Sequence, residues 1–315
     1  MTLEQLRIFL VVAQREHVTR GAEALGMTQS AVSGAIAVLE REFGTRLFHR
    51  VGRGIVLTEG GRLLATEAAG VLARAESAVL AMREFTGLAR GRLEVMASQT
   101  IAGHLLPVRL VAFHRAYPGV ALAVSVGNSA QVIEAILQGR IELGFIEGPR
   151  DDVAEPNLAA ELIATDPLMM IVSPAHPWAS REGLSADDLA AGQWVVREDG
   201  SGTRAVFFRA LESLGVARER VDIVIELPSN EAIMAATVAG AGPTIVSALV
   251  CQSEIAAGRV VRVPVNLPPR AFFAVQHVDR YRSRAVAAFL GVLRGWEAGR
   301  EESSFFEKNE AKKLS

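Results

Sequence analysis

At 315 residues with half of them apolar, the chain has material for large cores and for two or more domains, which excludes a disordered protein. Lys and Arg number 33 against 35 Asp and Glu, so the net charge of −2 carries no whole-chain signature of nucleic-acid binding. The single Cys251 excludes an intramolecular disulfide and a cysteine-rich metal site, and no basic segment leads into a long apolar run at the N-terminus, so a cytoplasmic protein without a secretory signal is expected.

In chain order, residues 3–14 read as a helix whose Leu3, Leu6, Ile8, Phe9 and Val12 support the next two helices. Thr19 to Leu25 is a short helix burying Ala22 and Leu25, broken by Gly26-Met27-Thr28, where glycine tolerates φ > 0 and the hydroxyl caps the next helix. From Gln29 to Phe43, the spacing of Val32, Ile36, Leu39 and Phe43 makes one narrow buried stripe. The opposite face is small and polar: Ser30, Gly34, Ala37 and Arg41, flanked by Gln29 and Ser33. Helix, tight turn and a slim outward helix is the arrangement that enters a DNA major groove. Two β-prone runs, Arg46–Arg50 and Ile55–Leu57, then surround Gly52-Arg53-Gly54 as a wing, placing Arg50 and Arg53 against phosphates. Residues 1–62 hold eight Arg and six Glu, a mild excess of +2, so local placement of Arg must supply the attraction.

Thr58 is positioned to cap a long helix. Along it Leu64, Ala68, Val71, Ala75, Ala78, Met82 and Phe85 form a heptad seam, and a helix of roughly 40 Å pairing with a copy of itself is expected. Gly87 to Gly91 reads as a hinge. Strands then alternate with helices: strands 93–97, 121–126 and 143–146 with helices near 103–116 and 130–138, a parallel α/β arrangement. A second set has strands 168–172, 194–197, 221–225 and 244–246 with helices near 203–214 and 230–239, and a strand 272–276 and helix 283–296 close the chain. The uncharged stretch 232–253 is interrupted by Gly240, Gly242 and Pro243, so a buried helix followed by a buried strand is expected rather than a membrane span. The charged tail from Glu301 lacks periodicity and is expected to be disordered.

The first sixty residues resemble the winged helix-turn-helix of the LysR-type transcriptional regulators. The resemblance rests on Leu6, Phe9, Ala22, Leu25, Gln29-Ser30-Ala31-Val32-Ser33, Ile36, Leu39-Glu40, Gly44, Leu47-Phe48, Arg50 and Leu57-Thr58 with Gly61. One departure is Gly34, where many members carry a basic side chain; with Ala37 it shifts readout toward DNA shape and thymine methyls. The resemblance implies an α/β fold of winged helix-turn-helix (1–58), linker and dimerisation helix with hinge (59–90), and a two-lobed effector domain like type 2 periplasmic binding proteins (91–297). Its first lobe takes about 91–163 and 266–297, its second about 164–265, and 298–315 is the tail.

Small polar residues gather at the strand-to-helix junctions, which line the ligand crevice in open α/β sheets: Ser98 and Thr100, Asn128 and Ser129, Glu147, Gly202 and Thr203, Ser229 and Asn230. Each alone is an ordinary cap. Together they surround a small anion with N–H groups and hydroxyls, and without a buried full cation. Runs 125–129, 144–149, 197–204 (with Arg197) and 229–233 resemble the LysR-type branch of sulfite-responsive regulators. Gly-Ser-Gly-Thr-Arg at 200–204 is also similar to the Calvin-cycle regulators that sense phosphorylated metabolites. A sulfite-like oxyanion is therefore the first expectation for the effector and a phosphorylated metabolite the second, with no cofactor. Expected partners are double-stranded DNA, a second copy in a homodimer or homotetramer, and the transcription machinery, but no membrane. No metal-ligand spacing, nucleophile elbow, dinucleotide fingerprint or P-loop favours an enzyme, and the N-terminal winged domain argues against a free-standing solute-binding protein.

Overall fold

The computed structural model describes residues 1–52, 54–85, 91–148 and 155–295, apart from the side chains at 80 and 83–85. Arg53, Gly87–Arg90 of the hinge and the tail lie outside the described residues, as does the side chain of Phe85 at the end of the seam. The chain divides into two compact units, one built chiefly from Met1–Gly87 and the other holding the sheets that come after it.

In the first unit, Thr2 opens α1 (Leu3–Arg15) with a capping box shared with Gln5. Gly26, at φ 63°, ends α2 (Val18–Leu25), and the Thr28 hydroxyl accepts from Ala31 N at the start of α3 (Gln29–Phe43). Left-handed glycine and cap together allow the sharp turn between them. Ile8, Val12, Ala22, Val32 and Ile36 form one core and Phe9, Leu39 and Leu47 another. Leu3 and Phe43 were expected inside but are exposed, because each occupies the terminal turn of its helix and overhangs the core.

Strands β1 (Phe48–Val51) and β2 (Gly54–Leu57) pair antiparallel, and Ile55 N donates to Glu16 O at 3.0 Å, tying the wing to the end of α1. Arg46 and Leu47 lie outside the hairpin: Leu47 N donates to the Glu40 carboxylate, and Arg46 O accepts from the Thr58 hydroxyl. Thr58 also accepts from Gly61 N at 2.9 Å, starting α4 (Glu59–Phe85). The beginning of α4 packs back on its own unit. Leu64 joins the Phe9 cluster and Ala68 is buried, so those two seam positions are not free for a partner. Farther along, Val71, Ala78 and Met82 are exposed together with Val79, and Ala75 is half-buried.

The second unit runs β3 (Arg92–Ala97), α5 (Leu106–Ala116), β4 (Ala121–Val126), α6 (Ser129–Leu137), β5 (Leu143–Gly148), β6 (Leu158–Asp166) and β7 (Leu168–Val172). It continues α7 (Ala186–Ala190), β8 (Gln193–Arg197), α8 (Gly202–Ser213), β9 (Asp222–Leu227), α9 (Asn230–Val238), β10 (Thr244–Ser247), α10 (Ala248–Ala256), β11 (Val261–Val263) and β12 (Arg270–His277), and ends on α11 (284–295). The first lobe's sheet has the order β4-β3-β5-β12-β6. Only β4, β3 and β5 are parallel. The parallel arrangement expected for these three strands is borne out, and β12, returning from the second lobe as expected of the closing segment, adds to them by pairing antiparallel with both β5 and β6. Leu93, Val95, Phe145 and Phe272 pack from this sheet against Phe113 of α5 and Phe289 of α11. The second lobe holds a three-stranded sheet, β10-β7-β11, and the parallel pair β8-β9, around Met170, Trp194, Phe207 and Leu211. Strand β6 was not foreseen and carries the first sheet to Asp166. Nor was α10, which holds Cys251; burial pushes that thiol up to about 11.

Candidate functional site

On the first unit, all six residues expected to face DNA from α3 are exposed: Gln29, Ser30, Ser33, Gly34, Ala37 and Arg41. Their placement follows from burial of Val32, Ile36 and Leu39 on the opposite side of the same helix. A Cβ at Gly34 would meet nothing within 4 Å, so the slimness of this face is not demanded by packing. Arg50 is exposed on β1.

In the second unit, the junction residues converge where the lobes meet. Glu147, at the end of β5, is buried; Ser98 donates to its Oε2, and Thr203, at the start of α8, donates to its Oε1 at 3.2 Å. Ser129 donates to Glu147 O at 2.9 Å. A Cβ on Gly202 would lie 2.0 Å from that carbonyl, so only glycine permits the approach of α8 to β5. A neighbouring set joins Thr100 to the second lobe: Asn230 Nδ2 donates to Thr100 Oγ1 at 3.0 Å, and Arg197 Nη1 donates to Asn230 Oδ1 at 2.8 Å. Thr100 immediately precedes a π-helical turn, Ile101–Leu105, a geometry that recurs at functional sites.

Two expected residues stand apart from this centre. Asn128 reaches Glu198 and the carbonyl of Asp199 at the rim, and Ser229 acts as a cap, its hydroxyl accepting from Ala232 N.

The expectation of a site without a buried cation is overturned. Arg270, at the start of β12, is 3% exposed; its Nη1 donates to Thr203 Oγ1 at 3.1 Å and lies 3.6 Å from Glu147 Oε1. Arg270 Nε donates to Asp166 Oδ2 at 2.7 Å, and Ser247 donates to Asp166 Oδ1. Arg270 Nη2 is buried without a hydrogen-bond partner among the described residues. Arg197 is buried too, paired through Nε with Glu198. Sequence reasoning missed Arg270, Asp166 and Ser247. A usable signal existed for Arg270, a lone charge heading the apolar run Ala271-Phe272-Phe273-Ala274-Val275.

Burial pushes the Glu147 carboxyl above the usual carboxylate range, against the opposing pull of Arg270, the Thr203 hydroxyl and Arg197. The folded form therefore binds the proton more tightly than the unfolded chain. Stability is greatest below the ordinary carboxylate pKa and declines as pH rises toward the elevated one. Full-length Glu147→Gln is expected to lose this component, giving a flatter melting temperature against pH than wild type above about pH 4. Identical slopes in the two proteins would assign the pH dependence to other groups.

Two family models match the chain: the lysR-family bacterial regulatory helix-turn-helix protein over residues 3–62 and the LysR substrate binding domain over residues 86–298. Among relatives, the HTH-type transcriptional regulator YeiE of Escherichia coli (strain K12) is 35% identical over 295 residues, 92% of this chain and 96% of that one. A RuBisCO operon transcriptional regulator of Allochromatium vinosum is 31% identical, covering 92% and 94%. Full-length CbnR complexed with its target DNA superposes with a TM-score of 0.63 at 22% identity, covering 93% of this chain and 99% of that one. The regulatory domain of Synechocystis PCC6803 CcmR in complex with 2-PG gives 0.57 at 25% identity, covering 65% and 96%.

Proposed function

The chain belongs to the LysR-type family of bacterial transcriptional regulators, DNA-binding proteins rather than enzymes, and from that premise we propose that a small oxyanion held between its two lobes sets its regulatory state. The observation that carries this reading is that Ser98 from one lobe and Thr203 from the other donate to a single carboxylate, beside the buried cation Arg270. An oxyanion entering there would take over the two hydroxyl donors that Glu147 now holds and draw on the charge of Arg270. A sulfite-like ion fits that description. An effector moves an equilibrium only by its differential affinity for the two states, and hydroxyls drawn from both lobes make affinity depend on how the lobes are closed.

A second reading, a phosphorylated metabolite, draws support from the likeness to the RuBisCO operon regulator and to the CcmR complex. Structurally, a cavity of about 420 Å³ lined by Ser129, Gly200, Ser201, Gly202 and Arg204 adjoins the crevice and offers room for a ligand body. Calorimetry on the full chain, wild type and Thr100→Val and Thr203→Val, with sulfite and with a sugar phosphate, separates the two. Losing a hydroxyl that bonds to a charged ligand should weaken affinity roughly ten- to hundredfold. Equal affinities in all three proteins would place the effector elsewhere, and binding of the sugar phosphate alone would select the second reading.

We further propose that Gln29, Ser30, Ser33, Gly34, Ala37 and Arg41 lie in the major groove, with Arg50 and Arg53 on phosphates. The exposed Val71, Ala78, Val79 and Met82 of α4 would pair two copies in the cytoplasm. Among the described residues no helix is long and apolar enough to cross a membrane. Arg50→Ala should weaken binding to all DNA sequences alike and reduce the salt slope by about one. A change of site preference with the slope intact would instead make Arg50 a base reader.

A further inference from the structure

Glu40, Thr58 and Gly61 are among the residues that carry the likeness to the LysR-type helix-turn-helix, yet none of them is exposed on α3 or on the wing. They meet at one peptide group. Arg46 O and Leu47 N are the two ends of the plane that leads from α3 into the wing. Leu47 N donates to Glu40 Oε1 at 2.9 Å, and Arg46 O accepts from the Thr58 hydroxyl at 2.7 Å. Beside it, Thr58 N donates to Leu47 O at 3.0 Å, and a Cβ on Gly61 would lie 2.1 Å from that oxygen, so the first turn of α4 is pressed on the same segment. One side of the peptide is thus held by α3 and the other by α4.

The Glu40 side chain is 15% exposed, and its Oε2 lies 3.3 Å from Nη1 of Arg46, whose side chain is 82% exposed. So exposed an ion pair contributes little. The bond to Leu47 N counts for more, because it is charge-assisted, and a part-buried N–H that loses its acceptor has to turn toward water. Arg50 follows three residues later, opposite Ile55 in the hairpin. A turn of the 46–47 peptide therefore shifts β1 against α3.

We propose that Glu40 is a positioning residue for DNA binding: with Thr58 it fixes the Arg46–Leu47 peptide, and through it the angle at which α3 and the wing meet the duplex. This rests on the reading that α3 enters the groove while the wing lies on phosphate. Charge supplies a sign that separates positioning from electrostatics. A carboxylate near DNA repels phosphates, so loss of the charge alone tightens binding, whereas loss of the acceptor loosens it.

The test is fluorescence anisotropy of the full chain on a duplex that the wild-type protein selects from a random-sequence pool, with a mixed-sequence duplex as the non-specific probe. Glu40→Gln removes the charge and keeps an oxygen for Leu47 N; it is expected to bind both duplexes as wild type does, or up to about threefold tighter. Glu40→Ala removes the same charge together with the acceptor, and its affinity for the selected duplex should fall about fivefold or more, with a smaller loss on the mixed sequence. Thr58→Ser and Thr58→Val repeat the contrast from the α4 side with no change of charge: serine keeps wild-type affinity and valine loses it. Combined with Arg50→Ala, Glu40→Ala should cost less than the product of the two single effects, since both act through the wing. Equal tightening in Glu40→Gln and Glu40→Ala, equal loss in both, a loss in Glu40→Ala that only follows its unfolded fraction, or strictly multiplicative effects with Arg50→Ala would each overturn the proposal. Should Arg50→Ala itself change neither affinity nor salt slope, the phosphate reading of the wing fails separately, and the contrast between Glu40→Gln and Glu40→Ala still decides the role of Glu40.

Discussion

Arg270→Met is expected to lower the stability of the effector unit by about 3–5 kcal/mol, because it leaves the buried carboxyl groups of Glu147 and Asp166 without their shared cation. Against a typical total of roughly 5–15 kcal/mol this is a large fraction, and it corresponds to a fall of roughly 6–20 °C in the melting temperature of a unit this size. The carboxylates are held at fixed places, Asp166 by Ser247 and Glu147 by Ser98 and Thr203, so neither swings out to water without breaking those bonds. Adding Glu147→Gln and Asp166→Asn removes the orphaned charges and should recover most of the loss. Differential scanning calorimetry of the full chain tracks both steps. Wild-type stability of Arg270→Met would mean that the cluster carries no net charge without the guanidinium.

Gly202→Ala is expected to act on the crevice with comparable force. Its Cβ would sit 2.0 Å from the carbonyl oxygen of Glu147 and 2.5 Å from the Ser129 hydroxyl, and the first of these is backbone in a central strand. A methyl group cannot be turned aside by choosing another rotamer, so α8 and β5 must separate. If closing that gap costs about 3 kcal/mol, effector affinity drops roughly hundredfold. Gly34→Ala is the matched control: it meets nothing within 4 Å and replaces a mid-helix glycine, so stability should rise by about 0.5–1 kcal/mol. Wild-type effector affinity in Gly202→Ala would show that the ligand does not require this approach of the lobes.

The helices of the first unit were legible because each carries a clear apolar stripe and a local stop, as at Val32, Ile36 and Leu39 with Gly44 after them. Overreach occurred at the ends, where periodicity continues past the partner that would bury it, as at Phe43. The same error affects the seam of α4: spacing alone does not distinguish Leu64 packed on its own unit from Met82 facing outward. In the effector unit, strands made of continuous apolar residues stood out, whereas β6 did not. Its sequence, Leu158-Ala159-Ala160-Glu161-Leu162-Ile163-Ala164-Thr165-Asp166, combines an edge position with a bulge, and both blur alternation.

For the site, hydroxyls at strand-to-helix junctions were readable from the chain because caps and crevice residues share positions. The charges that balance Glu147 were not. Asp166 and Arg270 are 104 positions apart and meet only because β6 and β12 end side by side where the chain crosses between lobes. Pairing of that kind depends on register, which local composition does not encode.

The place of β12 in the first sheet also dictates an order of assembly during synthesis. It lies between β5 and β6, yet it is made only after the entire second lobe has emerged. Until then the sheet has two unpaired inner edges, and the Phe145 side of its core lacks Phe272, Ala274 and Phe289. Open strand edges beside apolar surface are the features that promote wrong association, and long-range closure of this sort folds slowly. The nascent first lobe is therefore open to wrong association until β12 arrives. A chain cut short anywhere before Arg270 is left with a sheet that lacks its central antiparallel strand, rather than with a smaller working regulator.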